Sequence, residues 1–176
     1  ITLVLASLIS VANGAEIPRA YHTVAERFGI PAEVFYSMIL QESGKSNNGT
    51  YHPWPWTLNV DHQAYRYETR ADAEHALKQF LVTHTRIAVG LGQIYLPAHK
   101  QHFSDPVILL DPAVNLHYAA SLLANEYANT KKQGQPNWWV AVGRYHHPSN
   151  EWYATNYRSL VFLKCRKFSN NCLNYG

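Results

Sequence analysis

Apolar positions recur at helical spacing through most of the chain, and the breaks between them fall at Gly, Pro and Asn. A first helix is predicted over about 17–28, with a stop at Gly29. A second opens at Pro31, a favoured first helical position, and runs through AEVFYSMILQES to Gly44. Residues 45–56 are rich in Asn, Gly, Pro and Trp and read as a loop. The period then changes. Residues 56–60, a turn near Asp61-His62-Gln63 and residues 64–67 predict a short hairpin. A helix follows over about 70–84, with Ala73, Ala76, Leu77, Phe80 and Leu81 on one face. Residues 87–95, IAVGLGQIY, are apolar and broken by glycine, and another helix covers about 97–103. Asp111 is an N-cap with Pro112 behind it, opening a helix to about 130 that carries Val114, Leu116, Ala119, Ala120, Leu123 and Tyr127. Two more helices are predicted, over about 137–145 and 150–164. The expected fold is therefore mainly α, an α+β helical domain with one small β-hairpin.

The chain has 176 residues, which suits one domain. With 47% apolar and 15% charged residues, a disordered or fibrous chain is excluded. The net charge of +3 is too small and too dispersed for a nucleic-acid footprint. Its densest cluster, Lys164, Arg166 and Lys167, reads as a solvated helix end. Residues 1–15 carry no charge, and the apolar run Ile1 to Val11 is too short to span a bilayer. Ala12, Gly14 and Ala15 supply the small residues of a cleavage site, so this segment reads as the remnant of a signal peptide. The alternative is a buried N-terminal helix. The expected product is an exported monomer over 16–176, with no membrane span. Two cysteines close together, Cys165 and Cys172, predict a disulfide pinning the tail, and without a second pair they argue against a zinc site.

Glu42 is the first candidate for chemistry. It follows Phe35, Met38 and Ile39 by seven, four and three positions, so it lies on the apolar stripe at the C-terminal end of its helix. Burial there, and the negative end of the helix dipole, both raise a carboxyl pKa toward the range of a general acid. The second is Gly90-Leu91-Gly92-Gln93, two glycines and an amide, without the Lys-Ser/Thr ending of a phosphate loop. The third is Tyr145, near the end of an apolar helix and followed by His146-His147-Pro148. The ten histidines, His99 and His102 among them, form no metal-binding pattern, and no metal or cofactor is expected. Trp54 and Trp56, set between prolines, are candidates for stacking on a ligand.

Taken in order, these features resemble the lytic transglycosylases of the SLT (lysozyme-like) family. The matching residues are Gln41-Glu42-Ser43-Gly44, Gly90-Leu91-Gly92-Gln93, Asp111-Pro112-Ala113-Val114-Asn115 and Arg144-Tyr145-His146. The segment from Pro53 to Val60, with Tyr65-Arg66-Tyr67, looks like a hairpin insertion, about 50–70, found in a subset of that family. The Tyr145-His146 ending, with Trp152 and Tyr157 downstream, is similar to members associated with conjugation, type IV secretion and pilus systems. The resemblance implies a periplasmic enzyme that cleaves peptidoglycan glycan strands between N-acetylmuramic acid and N-acetylglucosamine, leaving 1,6-anhydromuramyl ends. Glu42 would be its acid and base. Ser43, Gln93 and the backbone of Gly92 would contact the sugars. Tyr145 would hydrogen-bond and orient Glu42, and Asn115 would support the site. Two positions depart from the family pattern. Gly92 stands where Met is frequent, and His146 where many relatives carry Asn. No second carboxylate lies in an apolar setting. An Asp61 or Glu68 nucleophile would make the protein a hydrolytic muramidase instead. A non-catalytic wall-binding or scaffold protein is the remaining alternative.

Overall fold

The computed structural model describes residues 16–176, so the leader expected over 1–15 lies outside the described residues. Helix α1 (Arg19–Arg27) ends at Gly29, whose φ of +66° only glycine adopts freely. Helix α2 (Ala32–Ser43) buries every residue from Val34 to Leu40. A helix apolar on all sides must sit inside the protein, and α2 is the central element. It leads into two β-hairpins: β1 (Gly44–Asn47) with β2 (Thr50–Pro53), and β3 (Thr57–Val60) with β4 (Gln63–Arg66).

The first hairpin replaces the loop expected over 45–56. Its turn is Asn48-Gly49, with φ of 50° and 79°, the left-handed pair that a two-residue hairpin requires. The second hairpin matches expectation, with Asp61 and His62 as its turn. After helix α3 (Arg70–Thr83), strands β5 (Ile87–Val89) and β6 (Ile94–Tyr95) extend it to an antiparallel sheet of order β4-β3-β5-β6. Leu81, expected on the buried face of α3, is exposed because only Ala73 and Leu77 of that helix reach the core fully.

Helix α4 (Leu96–His99) and short 3-10 turns lead to α5 (Pro112–Lys132). Asp111 caps α5 by accepting the Ala113 and Val114 N–H groups, as expected. Helices α6 (Trp138–His146) and α7 (Glu151–Cys165) complete the fold. The architecture is mainly α with a small antiparallel β component. One core, reaching from Val24 to Cys172, joins the helices to the inner face of the sheet.

The C-terminal tail fixes α7. The expected disulfide joins Cys165 to Cys172, both fully buried. The Trp139 indole donates to the Cys172 carbonyl at 3.0 Å, and the Tyr175 hydroxyl to Glu33 at 2.8 Å. Among the described residues, no helix is long and apolar enough to cross a membrane.

Candidate active site

Strand alternation builds one wall of a cleft. Leu58, Val60, Ile87, Val89 and Ile94 point inward and are at most 3% exposed. Successive side chains of a strand face opposite ways, so Asn59, Ala88 and Tyr95 face out. They are direct cross-strand partners in register, Asn59 to Ala88 and Ala88 to Tyr95. This row forms the floor of a cleft of about 890 Å³. The opposite wall is the end of α6 and the segment after it, with Tyr145, His146, His147, Pro148 and Tyr153.

Glu42 enters this cleft from the end of α2. Its side chain is only 12% exposed. Burial pushes its carboxyl up to about 7, against a partial opposing effect of one hydrogen bond from Tyr157. The Tyr157 hydroxyl donates to Glu42 Oε1 at 2.5 Å. Packing of α7 on α2 brings this pair together across the core. His146 stacks flat on Tyr157, with ring centroids 4.2 Å apart, and its Nδ1 lies 3.9 Å from Glu42 Oε1. Burial, with neighbouring His147, lowers the His146 pKa below its ordinary 6.5. The ring is therefore neutral near pH 7 and gives Glu42 no counter-charge.

Tyr145 does not bond Glu42, contrary to expectation. Its hydroxyl donates to the Gly92 carbonyl at 2.6 Å, and Tyr157 takes the orienting role at the carboxyl. The two tyrosines lie 12 residues apart on consecutive helices, and only helix packing decides which one reaches Glu42. The signal for Tyr157 was its place on the buried face of α7, with Ala154, Val161 and Cys165.

The glycine motif is a structural cradle. Asn115 is fully buried, accepts the Gly92 N–H at 2.7 Å and donates to the Val89 and Leu109 carbonyls. A Cβ at Gly92 would press into Ala119 and the Tyr145 hydroxyl, which explains why no larger residue stands there. The Gly92 N–H and carbonyl are both engaged within the protein, so its backbone is not a free sugar contact. Gln93 lines the cleft, while its amide N–H₂ is spent on the Thr57 and Gly90 carbonyls. Its side-chain carbonyl is left as an acceptor.

Ser43 is also displaced from its expected role. It is fully buried and donates back to the Ile39 carbonyl at 3.2 Å, because residue 43 lies on the inner side of the last turn of α2. Trp54 and Trp56 do not line the cleft with Glu42. Trp54 donates to the Tyr67 carbonyl at 2.6 Å and lies under the Lys45 ammonium, 3.8 Å from its ring centroid. Trp56 meets it edge-on and packs on the core. Both brace the hairpins. Besides Tyr145, the tyrosines lining the cleft are Tyr95 and Tyr153, about half-exposed, which sequence reasoning missed. Alternation along β6 marks Tyr95 as facing out, but only once the sheet is known.

Glu42 is the one carboxylate lining the cleft among the described residues. Asp61 pairs with Arg86 at 2.9 Å and Glu68 with Lys45. Asp72 closes the N-terminal cap of α3 with Thr69, and Glu74 pairs with Arg70. Among the described residues, no group of three or more His, Cys, Asp or Glu could hold a metal ion. No family model, curated protein or solved structure matches the chain.

Proposed function

We propose that this protein is a peptidoglycan lytic transglycosylase with Glu42 as its single acid and base. The observation that carries this reading is a buried carboxyl with no Lys or Arg partner, pushed up to about 7, as the only carboxylate among the described residues lining an 890 Å³ cleft. Most hydrolases of glycosidic bonds use two carboxyl groups, one on each side of the bond. A cleft with one carboxyl fits a route that consumes no water.

In that route the protonated Glu42 gives its proton to the oxygen between N-acetylmuramic acid and N-acetylglucosamine. The C1–O bond breaks, and the N-acetylglucosamine leaves with a free 4-hydroxyl. The acetamido oxygen of the muramyl sugar stabilises the positive charge at C1. Glu42, now a carboxylate, takes the proton of the muramyl 6-hydroxyl, whose oxygen bonds to C1. The product is a 1,6-anhydromuramyl end, and Glu42 is again protonated. A carboxyl with a pKa near the working pH suits both halves of this cycle. Tyr157 would hold the carboxyl in one orientation. Asn59, the Gln93 carbonyl and the rings of Tyr95 and Tyr153 would receive the sugars. The site of action would be the periplasm, an oxidising compartment in which the Cys165–Cys172 disulfide persists.

Mass spectrometry of soluble products from purified peptidoglycan tests the reading. Anhydromuramyl products with the wild type, and none with Glu42→Gln, are expected. Reducing-end products, one water heavier, would mean a hydrolytic muramidase. Sedimentation with the wall but no products would favour a binding or scaffold protein.

A further inference from the structure

The cleft holds one permanent cation that the glycan chemistry leaves unused. Arg86 precedes β5 and lies two residues before Ala88. Strand alternation places it on the same outward face, at the hairpin end of the floor. Among the described residues, it is the only Lys or Arg lining the cleft, and His62 of the β3–β4 turn lines it alongside.

Arg86 is held from two directions. Its Nε donates to Asp61 Oδ1 at 2.9 Å, and its carbonyl accepts the Asp61 N–H at 3.0 Å. The other Asp61 oxygen lies 3.8 Å from His84 Nε2. Asp61, on the β3–β4 turn, is thus a support for the guanidinium. The two terminal amino groups of Arg86 make no hydrogen bond to the described residues. A planar guanidinium with free amino groups is suited to a carboxylate.

The sugars of a peptidoglycan strand offer such a cation no charge, because the lactyl carboxyl of the muramyl unit is tied up in an amide to the stem peptide. The free carboxylates of the strand are on that peptide. We propose that Arg86, held by Asp61 and flanked by His62, is a carboxylate subsite that receives the stem peptide of the substrate. This rests on the glycan reading above and gives it a preference: strands with free peptide carboxylates over strands whose peptide carboxylates are amidated.

Binding without turnover tests it, using Glu42→Gln protein and three soluble probes. These are a disaccharide–tripeptide with free carboxylates, the same molecule with its peptide carboxylates amidated, and an uncharged N-acetylglucosamine oligosaccharide. The free-carboxylate form should bind about tenfold more tightly than the amidated form, as expected for one half-exposed charge-assisted contact. Adding Arg86→Gln should reduce that ratio to within about twofold, with binding of the uncharged oligosaccharide unchanged. Adding Arg86→Lys, which keeps the charge and loses the planar fork, should retain part of the ratio. Equal binding of both peptide forms by the Glu42→Gln protein would overturn the subsite and leave the glycan reading standing. An equal loss for all three probes on Arg86→Gln would reduce Arg86 to a structural support and overturn the subsite. Binding of none of the probes would overturn the glycan reading, and the subsite with it.

Discussion

Glu42 and Asp61 are both carboxylates beside the same cleft, and their surroundings divide them. Glu42 sits at the end of a buried helix with a hydroxyl as its donor and the neutral His146 imidazole 3.9 Å away. Asp61 sits on an exposed turn, 41% accessible, with Arg86 on one oxygen and His84 near the other. Burial without a cation favours the protonated form of a carboxyl. The difference teaches that residue type alone does not select the acid. What selects it is the absence of a positive partner at a desolvated position.

The largest expected effect tests this division directly. Glu42→Gln should lower glycan cleavage by about 10³-fold, in the range for loss of a general acid and base. Asp61→Asn should leave cleavage within about tenfold of wild type, since Asp61 acts only through Arg86. Product analysis and single-turnover rates on purified peptidoglycan measure both. Equal losses from the two variants, with reducing-end products from the wild type, would assign Asp61 as a nucleophile and erase the contrast. The wild-type rate should also fall as pH rises through about 7, because the proposed first step needs the protonated Glu42.

Stability separates the two carboxylates next. Glu42 has a pKa raised from 4.5 to about 7 on folding. Below 4.5 it is protonated in both states and costs nothing. As pH rises from there, the unfolded chain gains by ionising first, and the native state loses stability until about pH 7. The full loss is about 3 kcal/mol. Glu42→Gln should therefore stabilise the protein by about that amount at pH 8, with the gain vanishing near pH 4. Asp61→Asn should destabilise it by at most about 1 kcal/mol, as an exposed pair does. Denaturant titrations at several pH values decide it. A flat difference across pH for Glu42→Gln would mean that its carboxyl is charged in the native state.

The helices were legible in the sequence because their signals are local. Asp111-Pro112 and the Pro31 start lie at the helix ends themselves. Glu42 was legible for the same reason, since three buried residues of its own helix define its face. The β1–β2 hairpin carried a strong local signal in Asn48-Gly49, but the surrounding Pro and Trp residues masked it. The cleft floor was not legible. Asn59, Ala88 and Tyr95 become neighbours only when three strands pair across a helix and a glycine loop. Nor could the sequence rank Tyr145 against Tyr157, because each reaches its acceptor through a packing angle that no local pattern encodes.

That last pair supplies the finest test. Tyr157 donates to Glu42 and stabilises its charged form, so its hydrogen bond opposes the effect of burial. Tyr157→Phe removes the donor. The Glu42 pKa should then rise above about 7, and the alkaline limb of the pH–rate profile should move to higher pH. The maximal rate should fall about tenfold, because the carboxyl loses the contact that orients it and a buried acceptor is left unpaired. Tyr145→Phe cuts the bond to the Gly92 carbonyl instead. It loosens the glycine cradle and should lower stability by about 1 kcal/mol, with the alkaline limb left in place. A shift of the limb by Tyr145→Phe, and none by Tyr157→Phe, would return the orienting role to Tyr145 and show that the two hydroxyls exchange partners in solution.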